Sequence, residues 1–274
     1  MKVLASDFDL TLYVNDLEIV KKNVEAIRRF MKQGNLFGIV TGRNYSDIKV
    51  LLNQYNIPYH YLICQDGAKI FDSMDYCFLT VPLSREDIVR IVPILEENHF
   101  DYYLDDGYNA TENMDDCVKV VGIIGERRKE AEKVVNQLSM EGFYTYLSME
   151  HINIMDHSVN KKDALEKVLV HADCYKEDLY VIGDSVNDFE MLSAFQGAIM
   201  KNHSKELDKL NKKSYNTLFE YIEELNELVK SEIQEGTNQE ELDSEAKEIL
   251  DTTENLEKDI EKLEITTLLS GKYD

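Results

Sequence analysis

Short apolar runs alternate with stretches of helical periodicity along most of this chain, and that alternation limits its fold more than any other feature. Residues 2 to 6, Leu36 to Val40, Tyr61 to Cys64, Leu179 to Gly183 and Ala198 to Met200 have the length and composition of buried strands. Between them, residues 16 to 33 carry Leu17, Val20, Val24, Ile27 and Met31 at helical spacing, and residues 44 to 55, 161 to 171 and 187 to 194 also read as helices. Strand and helix in turn predict right-handed crossovers and a mainly parallel, doubly wound, Rossmann-like sheet.

From about residue 82 to 156 the rhythm changes. Helices are expected at 85 to 98 (Ile88, Ile91, Val92, Leu95) and 126 to 141, with strand pairs at 101 to 104 with 108 to 112 and at 143 to 147 with 151 to 155, and a further strand from Val118 to Ile124. This is an α+β insertion built as two similar helix-and-hairpin units. The predicted organisation is a core made of 1–81 and 157–225, an inserted cap at 82–156, and a C-terminal acidic helical extension at 226–274. In the insertion, Tyr102 to Tyr108 and Glu150-His151 are candidate ligand contacts, although alternating aromatics in a hairpin more commonly pack a sheet face.

The chemistry sits at the ends of the apolar runs. Asp7-Phe-Asp9-Leu-Thr11 leaves the first strand, and residues just past strand ends in an open parallel sheet form the ligand-binding rim. Alone, DxDxT is weak, expected by chance about a few times in a hundred chains of this length. It is followed, however, by Thr41-Gly42-Arg43, by Lys161 in Ser158-Val159-Asn160-Lys161, and by Gly183-Asp184-Ser185-Val186-Asn187-Asp188. Singly these are a turn, a surface lysine and a helix cap. Their joint order is what carries meaning.

That order resembles the haloacid dehalogenase-like (HAD) superfamily of phosphatases, and more narrowly its Cof-type branch, over about residues 1 to 225. The resemblance implies a Mg²⁺-dependent phosphatase of a small phosphorylated metabolite, such as a sugar phosphate or phosphorylated cofactor. Asp7 would attack phosphorus to give an aspartyl phosphate, and Asp9 would serve as general acid and base. A carboxylate at the second position matches the phosphatases and phosphomutases of the superfamily rather than its transport ATPases, which have Thr there. Metal ligation falls to Asp7, the Asp9 carbonyl and Asp184, with Asp188 supporting the shell. Phosphate binding falls to Thr41, Gly42, Lys161 and Asn187.

Two positions depart from the Cof-type pattern. Asp66 of Gln65-Asp66-Gly67 stands where Asn-Gly is common, and Lys201-Asn202 replaces Gly-Asn. Asp66, Gly67 and Asn202, together with Arg43 next to the phosphate loop, are candidates for substrate contact. A phosphomutase uses the same residues, and a phospho-accepting signalling or binding protein is a further alternative, although its phosphorylated Asp would end the third strand and it would need no cap.

With 53 acidic against 30 basic residues the formal charge is −23, which disfavours nucleic acid and anionic membrane as partners. No run of about 18 apolar residues is present, and the N-terminus reads as a charged strand rather than a signal peptide, so a cytoplasmic location is expected. Cys64, Cys77, Cys117 and Cys174 lack CxxC spacing and read as reduced structural thiols. Leu242, Ala246, Ile249, Thr253, Leu256, Ile260 and Leu263 keep heptad spacing, so residues 238 to 267 are a candidate for self-association or partner docking. Ala246 and Thr253 weaken that seam, which favours a helix packed on its own domain or solvated.

Overall fold

In the computed structural model, which describes residues 1–148 and 150–228, the first apolar run becomes β1 (Val3–Asp7), buried along its whole length. Asp16 then caps α1 (Leu17–Lys32) by accepting the Glu18 N–H, and Val20, Val24, Ile27 and Phe30 supply the buried face. The chain continues through β2 (Leu36–Val40), α2 (Tyr45–Gln54), β3 (Tyr61–Cys64), β4 (Lys69–Asp72) and β5 (Cys77–Thr80). The insertion contributes α3 (Arg85–Glu97), β6 (Asp101–Asp105), β7 (Ala110–Thr111), β8 (Lys119–Ile123), α4 (Arg128–Met140), β9 (Tyr144–Leu147) and β10 (His151–Met155). Then follow α5 (Lys161–His171), β11 (Leu179–Gly183), α6 (Phe189–Ala194), β12 (Gln196–Met200) and β13 (Ser214–Tyr215). Residues Met1–Glu223 form one compact unit, and a second begins at Glu224. The heptad segment at 238–267 lies outside the described residues.

Eight strands form the first sheet, in the order β13-β12-β11-β1-β2-β3-β4-β5. Pairing is parallel from β13 to β3, with β1 flanked by β2 and β11, and antiparallel at the β3-β4-β5 edge. Val3 and Ala5 pack with Leu165 and Val168 of α5 and Met191 and Leu192 of α6. Leu4, which alternates to the other face, is also fully buried. Both faces of the sheet are therefore covered, as a doubly wound fold requires.

The insertion forms a five-stranded antiparallel sheet, ordered β7-β6-β8-β10-β9. Its repeat differs in detail from the sequence expectation. The main partner of β6 is β8, paired from Asp101↔Ile123 to Asp105↔Lys119, whereas the expected strand at 108–112 shrinks to β7. Residues 106 to 109 turn instead, with Asp106 Oδ1 accepting the N–H groups of Tyr108 and Asn109. The two units are thus α3-β6-β8 and α4-β9-β10. Helices α3 and α4 cover one face through Ile88, Ile91, Leu95, Val134 and Leu138. The opposite face turns Lys119, Tyr144 and Tyr146 toward the core, where Tyr144 and Tyr146 pack on a small apolar cluster of Ala68, Val118, Met155 and Val159.

Candidate active site

Adjacent parallel strands β1 and β11 end side by side, so the motif that leaves each meets the other. Asp7 closes β1, and Asp184 and Asp188 follow β11. One carboxylate oxygen from each of the three lies within 4.8 Å of the others, and all three residues are buried. Lys161, the first residue of α5 and fully buried, reaches into this group. Its Nζ donates to Asp7 Oδ1 and to Asp188 Oδ1, both at 2.6 Å. A lysine at a helix start is ordinarily solvated; here it is the counterion of the site.

Asp188 is the brace of the arrangement. Its Oδ1 holds Lys161 while its Oδ2 accepts the backbone N–H groups of Asp184 and Ser185, each at 2.9 Å. Gly183 leaves the room this needs, because a Cβ there would stand 2.5 Å from the Asp188 side chain. Asp184 is aimed by two hydroxyls: Thr11 Oγ1 donates to its Oδ1 at 3.0 Å and Ser185 Oγ to its Oδ2 at 2.9 Å. Thr11, the last residue of the DxDxT motif, thereby acquires a function through Asp184.

Three carboxylates facing one ammonium leave negative charge in excess. Burial holds the Asp7 carboxyl well above the usual range despite the attraction of Lys161, and the charges of Asp188 and Asp184 push the same way. The Asp184 carboxyl is raised by burial and by Asp188. For Lys161, burial opposes the charged form, but Asp188 and Asp7 outweigh it and hold the ammonium well above its ordinary pKa. A hard divalent cation fits this donor set, which offers oxygen alone and needs positive charge. Asp7 and Asp184 are the carboxylates open to it. Asp188 is already committed to Lys161 and two backbone N–H groups, so it supports rather than ligates.

Asp9 is differently placed. Its carboxylate is gripped bidentately by Arg43, whose Nε and Nη2 each donate at 2.7 Å, and about half of that side chain is exposed. Arg43, a candidate substrate contact in the sequence, is thus the partner of Asp9. Thr41 is buried, and its hydroxyl accepts the Arg43 N–H at 3.1 Å, which leaves the hydroxyl proton available to an oxyanion.

Further out, Asp66 is fully buried in the turn between β3 and β4, with Gln65 and Asp66 both at positive φ (49° and 55°). Side chains other than Gly seldom adopt that conformation, and its strain is of the kind that collects at functional sites. Asp66 Oδ1 accepts from Asn187 Nδ2 at 2.8 Å, and Oδ2 from the Tyr146 hydroxyl at 2.6 Å. Gly67, at φ +119°, lies against the Asn160 carbonyl and Ala164, where no side chain fits. Asn202 stays exposed on the loop after β12 and makes no hydrogen bond among the described residues. That loop is anchored to the site by Ser204, whose N–H donates to the Asp184 carbonyl at 2.8 Å.

The family model of haloacid dehalogenase-like hydrolases matches residues 4–115 and 104–218, between them most of the chain and every residue of this constellation. The chain belongs to that family. This haloacid dehalogenase-like hydrolase is similar to a protein of Yersinia enterocolitica named HMP-PP phosphatase, at 23% identity over 75% of this chain and 86% of the relative. Among solved structures it resembles a phosphatase of the HAD superfamily from Bacteroides thetaiotaomicron, with a TM-score of 0.72 at 19% identity over 83% of this chain and 94% of that one. A HAD subclass IIB sugar phosphatase is also similar, with a TM-score of 0.65 at 16% identity over 81% and 95% of the two chains. By family the chain is a hydrolase, and these relatives are named as phosphatases.

Two residues at the site of this hydrolase were not foreseen from the sequence. Lys119 on β8 and Tyr146 on β9 cross from the cap into the core, Lys119 Nζ donating to the Gly42 carbonyl at 3.1 Å. Burial lowers the Lys119 pKa, against the pull of Asp66 and Asp105, and burial with the nearby Asp66 charge raises the Tyr146 phenol well above its usual value. A lone lysine in the apolar run 117 to 124 was the readable signal. Among the described residues no helix is long and apolar enough to cross a membrane.

Proposed function

We propose that this hydrolase is a Mg²⁺-dependent phosphatase of a small phosphorylated metabolite, working through an aspartyl phosphate at Asp7. The observation that carries this reading is the buried ammonium of Lys161, held 2.6 Å from both Asp7 and Asp188 beside Asp184 at the end of the central strand. Lys161 engages Asp7 Oδ1, which leaves Oδ2 as the attacking oxygen. That oxygen forms the bond to phosphorus as the bond to the departing alkoxide breaks, and Asp9 donates a proton to the alkoxide. Asp9 then takes a proton from water, whose oxygen attacks phosphorus and releases phosphate with Asp7 regenerated.

Thr41, Gly42, Lys161 and Asn187 would hold the phosphoryl oxygens, by hydroxyl, backbone N–H, ammonium and amide respectively. A bound Mg²⁺, carried by Asp7, Asp184 and the Asp9 carbonyl, would neutralise phosphoryl charge. Arg43 must pass Asp9 to the leaving group when substrate arrives, and it is then free to meet a second polar group of that substrate. Relatives named for HMP-PP and sugar phosphates support a small metabolite as the substrate class. The test is phosphate release from sugar phosphates, nucleotides and phosphorylated cofactors, with Mg²⁺ or with chelator, for the wild type and Asp7→Asn. A preferred substrate that needs both Mg²⁺ and Asp7 is expected. Turnover by Asp7→Asn, under conditions that exclude deamidation, would remove the assigned nucleophile.

A further inference from the structure

A buried polar contact between cap and core lies against the proposed phosphate loop. Asp66 of the core receives the Tyr146 hydroxyl at 2.6 Å and lies 3.7 Å from Lys119 Nζ, both from the cap, while Lys119 donates to the Gly42 carbonyl. All the charge here is buried: the Lys119 side chain is 4% exposed and that of Asp66 is 0% exposed. A Cβ on Gly42 would stand 2.9 Å from the Tyr146 hydroxyl and 3.2 Å from Asp66, so the clasp closes against the loop itself. Both Asp66 oxygens are occupied, Oδ1 by Asn187 and Oδ2 by Tyr146. Asp66 is therefore placed to organise its neighbours rather than to bind a ligand.

We propose that Lys119 and Tyr146 of the cap are positioning residues that act through Asp66, fixing Gly42 and Asn187 in their phosphate-binding positions only when the cap is closed. The inference rests on the phosphatase reading for its chemistry, but the clasp itself is a matter of geometry. An Asn at position 66 would keep a side-chain acceptor yet lose the charge that pairs with Lys119. Asp66 thus turns a neutral contact into an ion pair that forms in the closed state, while Asp105 of the cap sheet stays beside Lys119 when the cap lifts.

Cap opening has a built-in reporter. Tyr45, the first residue of α2, has no acceptor for its N–H within its own helix, and instead donates across the seam to the Gly107 carbonyl at 2.8 Å. Hydrogen exchange at this amide therefore measures closure without requiring turnover. In Tyr146→Phe and Lys119→Met, Tyr45 exchange should rise about tenfold, while β1 amides keep wild-type protection. With para-nitrophenyl phosphate and Mg²⁺, kcat/KM should fall by a similar factor. Asp66→Asn and Lys119→Met should combine to less than the product of their separate effects on exchange, because each breaks the same pair.

Unchanged Tyr45 exchange in both cap variants, or multiplicative effects in the double variant, would overturn the clasp. Faster Tyr45 exchange with kcat/KM unaltered would overturn its role in positioning the phosphate loop. A wild-type protein inert toward every phosphate ester would count against the phosphatase reading and, with it, against that positioning role. The exchange experiment would still decide whether the clasp exists.

Discussion

Arg43 grips Asp9 through two hydrogen bonds of 2.7 Å, so until substrate arrives the residue proposed for proton transfer is held in place by a planar fork rather than left loose in the cleft. A fork fixes both carboxylate oxygens, which an ammonium cannot do. Arg43→Lys should therefore behave almost like Arg43→Ala, with kcat/KM lowered about ten- to a hundredfold in each. Steady-state kinetics on the best substrate decides the matter, and a Lys variant with wild-type rates would show that charge alone is needed.

Lys161 is the sole cation hydrogen-bonded to Asp7 and Asp188 among the described residues. Lys161→Met keeps the volume but leaves those carboxylates uncompensated, a loss of about 3–5 kcal/mol when a buried pair is broken. The variant should melt well below wild type in chelator, and Mg²⁺ should restore part of the difference because it returns positive charge to the same oxygens. Melting curves with and without Mg²⁺ test this; an equal deficit in both would place the metal elsewhere.

The sign of the pH effect follows from Asp7 and Asp184, whose carboxyls are both raised, chiefly by burial. The folded protein then holds these protons more tightly than the unfolded chain. In chelator, their ionisation lowers stability as pH climbs from the ordinary carboxylate range of about 4 toward their raised folded values. Mg²⁺ binds the ionised forms and must displace the protons. Stabilisation by Mg²⁺ should accordingly grow with pH across that window, with proton release on binding at its lower end. Calorimetry in buffers of different ionisation enthalpy would detect the release, and a pH-independent Mg²⁺ effect would contradict the assignment.

Gly183→Ala tests the brace. The added methyl would sit 2.5 Å from the Asp188 carboxyl carbon, which is tied to Lys161 and two backbone N–H groups and cannot easily yield. A loss of about 1–3 kcal/mol from overpacking is expected, with turnover lowered more than stability because Lys161 and Asp184 are displaced together. Wild-type turnover in this variant would show that Asp188 has slack.

The core was legible because its strands are buried on both faces, so β2, β3 and β11 appear as unbroken apolar runs and β1 as one up to Ser6. The antiparallel edge was not. Lys69-Ile-Phe-Asp and Cys77-Phe-Leu-Thr are short, mixed in polarity and joined by a turn without glycine, and so they give no clear period. At the site, Asp7, Thr41, Lys161 and Asp184 could be read because each follows or precedes a recognisable element. Their partners could not. Nothing in the local sequence of Lys119 or Tyr146 says which surface their strand faces, and the pairing of Asp9 with Arg43 depends on how two loops meet. The turn signal of Asp106-Gly107 was read between strands at 101–104 and 108–112, but the turn also takes in Tyr108 and Asn109, which Asp106 Oδ1 holds.

The sheet order has a consequence for how the molecule comes into being. As the chain leaves the ribosome, β1 can gain β2 early, but its other edge waits for β11, which follows the whole cap. Asp7 and Lys161 are 154 positions apart in the chain, and Thr11 and Asp184 are 173 apart. Pairings so distant form late and slowly, and until then β1 presents an open edge able to capture another chain. The nascent protein therefore carries Asp7, the proposed nucleophile, long before it carries the counterion Lys161, and the strand left with an open edge is the one that bears it.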